Sequence, residues 1–265
     1  MVLKTAMVLA FFLLLGWGLW TPDLDRADLE RQYARAGSQF VQTPGLRTHV
    51  QIEGPAQAPV VLLLHGFGSS LQTWDVWAEG LATDHRVVRL DIAGFGLTGP
   101  AEPGDYSDEA DVQRLLAVVD QLGLPRMTVV GHSMGGRLAW HFAAAHPQRV
   151  DKLVLIAPDG FPDPQAKSEK TYDVPAWIGV ARYALPRWLI NKGVASAYAD
   201  PSRLDDATAR RYQDMLLAPG VRPAVLARMA QTRNRDALDF FEVHAARVQD
   251  ALLAAFMAGM QFKNA

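Results

Sequence analysis

The chain has 265 residues, of which 49% are apolar and 20% charged, and 26 basic against 28 acidic side chains leave a formal net charge of −2. That length accommodates one large α/β domain, alone or with a small insertion, and the balanced charge carries no footprint of a nucleic-acid partner. With no cysteine in the sequence, disulfides, thiolate metal sites and cysteine catalysis are excluded, while the compartment is left open.

The first element is an uncharged apolar run from Thr5 to Trp20, preceded by Lys4 and followed by Asp23 and Asp25. As a helix it approaches membrane thickness if Met1 to Leu3 contribute. Trp17 and Trp20 stand where interfacial aromatics belong, and Lys4 favours the short end inside. Residues 1–22 are therefore expected to form a membrane anchor, with the globular part outside the cytoplasm, on the periplasmic or extracellular side. The competing readings are a cleaved signal peptide, for which no small-x-small site follows the run, and a buried core helix. Residues 23–38, charged and helix-compatible, read as a spacer.

Residues 39–160 read as the core. "FVQTPGLRTHVQIEG" predicts a hairpin around a Pro-Gly turn. "PVVLLLHG" is a continuous apolar run, the mark of a strand buried on both faces. "SLQTWDVWAEGLAT" has helical spacing and "RVVRLD" is another buried strand. Ser107 can cap a helix over "DEADVQRLLAVVDQLG", which stops at Gly123. "RMTVVG", a helix from Met134 to about His146, and "DKLVLIAP" follow. Short apolar strands alternating with helices predict an α/β fold with a mainly parallel sheet and helices on both faces. Residues 161–225, rich in proline early and then in aromatic residues, read as a helical cap inserted beyond a strand end, where open α/β sheets bind ligands.

Chemistry concentrates on "GHSMGG". Gly131, Ser133 and Gly135 satisfy G-x-S-x-G between a strand and a helix, a turn so tight that side chains flanking the serine would collide with backbone. The helix N-terminus favours negative charge there. "HGFGSS", His65 to Ser70, follows an earlier buried strand, and the backbone N–H groups of Phe67 and Met134 could together bind an oxyanion. Plain tight turns are the alternative for both segments.

In this order and spacing, "LLLHGFGSS", "RLDIAGFGLTG" and "VVGHSMGG" resemble the α/β-hydrolase superfamily, in its serine esterase, lipase and C–C hydrolase branch, from about Phe40 to Pro158. The resemblance implies Ser133 as nucleophile, Phe67 and Met134 as oxyanion donors, and no metal or organic cofactor. It implies acyl transfer on a small carboxylic ester or similar acyl substrate. Serine at the elbow counts against haloalkane dehalogenases and epoxide hydrolases of the superfamily, which carry aspartate there. Asp91 in such relatives mostly organises its loop.

The family's order is Ser, acid, His, with the acid in a "G-x-x-D" loop after the seventh strand and the histidine after the eighth. Neither motif occurs here. Residues 226–265 are expected to be an incomplete last part of the core; "ARVQDALLAAFMAGMQF" stands where the seventh strand belongs but has a helical composition. Some relatives place the acid after the sixth strand, which makes Asp159 a candidate acid or else a turn residue. His65, His132, His141 and His146 read as structural, and His244 as solvated or packed on an amphipathic helix. The expectation is thus a hydrolase missing its C-terminal strands and its catalytic histidine, with impaired catalysis. The rival is a ligand-binding protein that kept the pocket without the chemistry.

Overall fold

The computed structural model of the protein describes residues 18–160 and 176–233. Its described strands form one sheet in the order β1-β2-β4-β3-β5-β6. They are β1 (Ser38–Thr43), β2 (Leu46–Glu53), β3 (Val60–Leu64), β4 (Arg86–Leu90), β5 (Met127–His132) and β6 (Val150–Ile156). The two hairpin strands are antiparallel to their neighbours, and β4, β3, β5 and β6 run parallel. The hairpin turns at Gly45, whose φ of 67° lies in the left-handed region that favours glycine.

β3 is buried at every residue, as its unbroken apolar run predicts, because layers cover both sheet faces. One layer contains α3 (Asp108–Gln121) and α4 (Met134–Ala145). Their Val112, Leu115, Val118, Leu138 and Phe142 pack with Leu62, Leu64 and Val88 in the main core. On the other face Trp74 and Ala78, the latter in α2 (Asp75–Leu81), meet Val61, Leu63 and Val87. The start of α3 follows its sequence signals: Ser107 accepts a hydrogen bond from the Ala110 N–H at 3.2 Å, the N-cap pairing that satisfies a first-turn donor.

Beyond β6 the described chain resumes at residue 176 and carries α5 (Arg187–Ala195), α6 (Asp206–Leu216) and α7 (Val221–Arg233). The last of these crosses the boundary at 225 drawn between cap and core in the sequence. β6 is an outer strand of the described sheet, with Val154 40% exposed.

The membrane-anchored placement expected for the chain, with its globular part outside the cytoplasm, is corrected. Among the described residues no helix is long and apolar enough to cross a membrane. Residues 1–17 of the apolar run lie outside the described residues. Trp20, expected at a membrane interface, stacks on Tyr183, and Thr21 donates its N–H to the Tyr183 carbonyl at 2.8 Å. The segment continues across the domain. Asp23 pairs with Arg222 at 2.7 Å, and α1 (Arg26–Tyr33) buries Leu29 against Leu97, Met215 and Val221. Within residues 23–38, read as a spacer, Leu24, Leu29, Tyr33 and Ala34 pack with Leu97, Met215 and Val221; apolar positions so few do not signal this in isolation.

Candidate active site

Ser133 occupies the corner between β5 and α4 with φ 52° and ψ −121°. A non-glycine residue in such a sparsely populated region costs about 1–3 kcal/mol and persists only where its surroundings over-determine it. Here they do. The Ser133 N–H donates to the Ile156 carbonyl at 3.1 Å, and its own carbonyl accepts from Asp159 N at 3.1 Å and Arg137 N at 3.0 Å. Glycine at 131 and 135 is a steric requirement. A Cβ on Gly135 would run into the carbonyl oxygens of Leu64 and His65, and one on Gly131 into that of Gly135. The start of α4 thus rests directly on the end of β3, and the half-buried serine stands at the sheet's C-terminal edge.

The 65–70 loop reaches the same place: a Cβ built on Gly66 would lie 3.3 Å from Ser133 Cβ. Phe67 follows Gly66, and Met134 opens α4, where the first N–H groups have no carbonyl one turn earlier to bond. The Phe67 ring is 46% exposed and packs edge-on against Phe95 with centroids 5.3 Å apart.

Asp91 and His65 fix this loop. Asp91 is fully buried; its Oδ1 accepts from Leu71 N at 2.7 Å and its Oδ2 from Leu97 N at 2.9 Å and from His49 Nδ1 at 2.8 Å. Burial pushes its carboxyl up, but the hydrogen bonds donated by His49 and the Leu71 N–H outweigh that and hold it below the ordinary carboxylate range. His65 is also fully buried, and desolvation lowers its pKa. Its neutral ring accepts from Ile92 N at Nε2 and donates from Nδ1 to the Gly66 carbonyl at 2.8 Å.

Arg228 of α7, which no sequence motif marked, contacts Met134 directly and meets Phe67 only through Phe95. Its guanidinium is 3% exposed, binds both oxygens of Asp111 at 2.7 and 3.1 Å, and donates to the Ala93 carbonyl. It lies 3.9 Å from Met134 Sδ and over the rings of Phe95 and Tyr106. Tyr212 of α6 places its hydroxyl 3.3 Å from Ser69 Oγ, bringing α6 onto the loop.

Asp159 lies beside the elbow through its backbone, while its carboxylate faces Arg137 at 3.6 Å. Arg137 in turn grips Asp108 through Nε and Nη2, and His141 Nε2 is 3.5 Å from Asp108. A small cavity lined by Asp108, Met134, Arg137, Asp159 and Arg228 adjoins the elbow. Among the described residues no imidazole is in hydrogen-bond contact with the Ser133 hydroxyl. His132 is exposed beside it, and His244 lies outside the described residues. No group of three or more metal-ligating side chains occurs among the described residues.

Residues 59–210 match a family model described as the alpha/beta hydrolase fold; residues 230–263 match a family of unknown function. The chain is 40% identical over 112 residues to a putative 2-succinyl-6-hydroxy-2,4-cyclohexadiene-1-carboxylate synthase of Bacillus subtilis, covering 42% of this chain and 40% of that protein. It is 31% identical over 144 residues to epoxide hydrolase 4 of Homo sapiens, covering 54% and 39%. The chain thus spans about 40% of the length of these curated relatives. Among solved structures, a meta-cleavage product hydrolase from Pseudomonas fluorescens is 26% identical with a TM-score of 0.61, covering 76% of this chain and 72% of that one.

Proposed function

The chain belongs to the alpha/beta hydrolase fold family, and from that premise we propose that it is a serine hydrolase of small carboxylic esters or similar acyl substrates, with Ser133 as nucleophile. The observation that carries this is the strained backbone of Ser133, held at φ 52° on a corner that tolerates only glycine at 131 and 135. Strain of this kind is kept where a hydroxyl must stand clear of the sheet and face a reacting group. Ser133 Oγ attacks the carbonyl carbon, and the N–H groups of Phe67 and Met134 stabilise the oxyanion, each good donor contributing about 3–4 kcal/mol. The alcohol leaves with a proton and water later releases the acid.

The relatives act on small molecules by several chemistries, as their names state. A serine hydroxyl at the elbow favours acyl transfer among these. Asp159 adjoins the elbow through its backbone, and as an acid it can act only through a base. That no imidazole contacts Ser133 among the described residues favours, as the second reading, a binding protein without catalysis. A fluorophosphonate probe with peptide mapping separates the two. The expected result is an adduct on the peptide containing Ser133, absent from Ser133→Ala. A folded chain left unmodified at Ser133 would favour the binding protein.

A further inference from the structure

A complete Ser–His–Asp relay exists in this molecule, and it ends on a different serine. Ser38 Oγ lies 3.1 Å from His49 Nε2, and His49 Nδ1 lies 2.8 Å from Asp91 Oδ2. His49 and Asp91 are fully buried, whereas Ser38 is only partly so. These contacts fix the protons. Asp91 accepts two backbone N–H groups as well as His49, so its carboxylate is ionised and draws the imidazole proton to Nδ1. Nε2 is then the bare lone pair, and the Ser38 hydroxyl donates to it. Nucleophile, base and orienting acid at hydrogen-bond distances are the geometric signature of an activated hydroxyl. Gln51 Oε1, the other acceptor near Ser38, is farther at 3.5 Å.

We infer that Ser38 is a second activated serine, which takes an acyl or phosphonyl group from small electrophiles such as activated esters and fluorophosphonates. In the step, Ser38 Oγ bonds to the carbonyl carbon or phosphorus while its proton passes to His49 Nε2. The leaving group departs with its bonding electrons and collects that proton, or departs as fluoride with the proton released to water. Two features favour it. The Arg35 N–H donates to Ser38 Oγ at 3.1 Å, stabilising negative charge as it develops on that oxygen. Ser38 is also only partly buried at the start of the outer strand β1, which leaves part of its surface open to a small reagent. A hydroxyl that merely satisfied a buried imidazole would react no faster than any exposed serine.

The test uses the full chain carrying Ser133→Ala, so that its outcome is independent of the elbow. It is treated with a small fluorophosphonate, and modification at Ser38 is compared with that at exposed Ser196 and Ser202 by peptide mapping. A general base contributes on the order of 100-fold, so Ser38 is expected to react about 100-fold faster than the two references. His49→Gln should bring its rate to the reference level. Modification of Ser38 no faster than Ser196 and Ser202 in the folded chain would overturn the assignment, as would an unchanged rate in folded His49→Gln. Should that variant not fold, the comparison in the chain with His49 intact decides: Ser38 reacting no faster than Ser196 and Ser202 refutes the role of His49.

Discussion

Ser133 and Ser38 divide between them the parts that a serine nucleophile needs. Ser133 has the strained corner, the helix N-terminus and a glycine-rich loop close beside it, but among the described residues no imidazole touches it. Ser38 has an imidazole and a buried carboxylate in line, yet it lies in an ordinary strand. The contrast teaches that stabilising the oxyanion and activating the hydroxyl are separate structural tasks. Backbone geometry performs the first and side-chain hydrogen bonding the second, and one fold can build them in different places. Asp91 links the two, since one oxygen holds Leu71 just past the 65–70 loop while the other holds His49.

That link gives the largest expected effect. Asp91→Ala orphans two buried backbone donors and an imidazole, so thermal unfolding should show a loss of about 3–5 kcal/mol, with slower probe reaction at both serines. Arg228→Met should cost somewhat less, because buried Asp111 loses its two closest charged contacts and keeps only Arg114 at 3.4 Å. Here the comparison sharpens: modification of Ser133 should fall as Met134 and Phe95 lose their support, while Ser38 keeps its rate. Equal loss at both sites would place Arg228 in the general stability of the domain.

Acid should act on the shared foundation. The folded pKa of His65 is depressed, so the stability gained by keeping it neutral is present above its unfolded value of about 6.5 and is lost as pH falls below it. Asp91 is also depressed, and its contribution is lost only below about pH 3.9. Melting temperature measured from pH 8 to pH 3 should therefore decline in two stages, each group contributing up to about 1.4 kcal/mol per pH unit. The smallest effect is expected for Asp159→Asn. Its carboxylate faces Arg137 and has no imidazole to orient among the described residues, so Ser133 modification should change by less than about threefold; a hundredfold fall would make Asp159 the working acid of a complete triad.

Much of the elbow was legible because its signals are local. Gly131, Ser133 and Gly135 are spaced by a turn, and the apolar run before them and the helical pattern after them fix its setting. The hairpin announced itself through Pro44 and Gly45, and β3 through its five apolar residues. The relay at Ser38 was not legible. Its members are separated by 11 and 42 positions, and "THVQIE" reads as plain strand alternation until β4 places His49 beside Asp91. Arg228 escaped for the same reason: Asp111 is 117 positions away, and nothing around Arg228 marks it as buried. Trp20 misled in the opposite sense. An indole at the end of an apolar run suits a membrane interface, but it suits the ring of Tyr183 equally well, and only the tertiary fold decides between them.

The central claim, that Ser133 sits in a site prepared for acyl transfer but without an imidazole of its own among the described residues, is tested most directly by chemical rescue. The rate of fluorophosphonate modification at Ser133 is measured by peptide mapping with and without added imidazole, with Ser38 followed in the same digest. Exogenous imidazole should raise the rate at Ser133 by about tenfold or more and leave Ser38 unchanged. A folded chain in which Ser133 stays unmodified at every imidazole concentration would contradict the account.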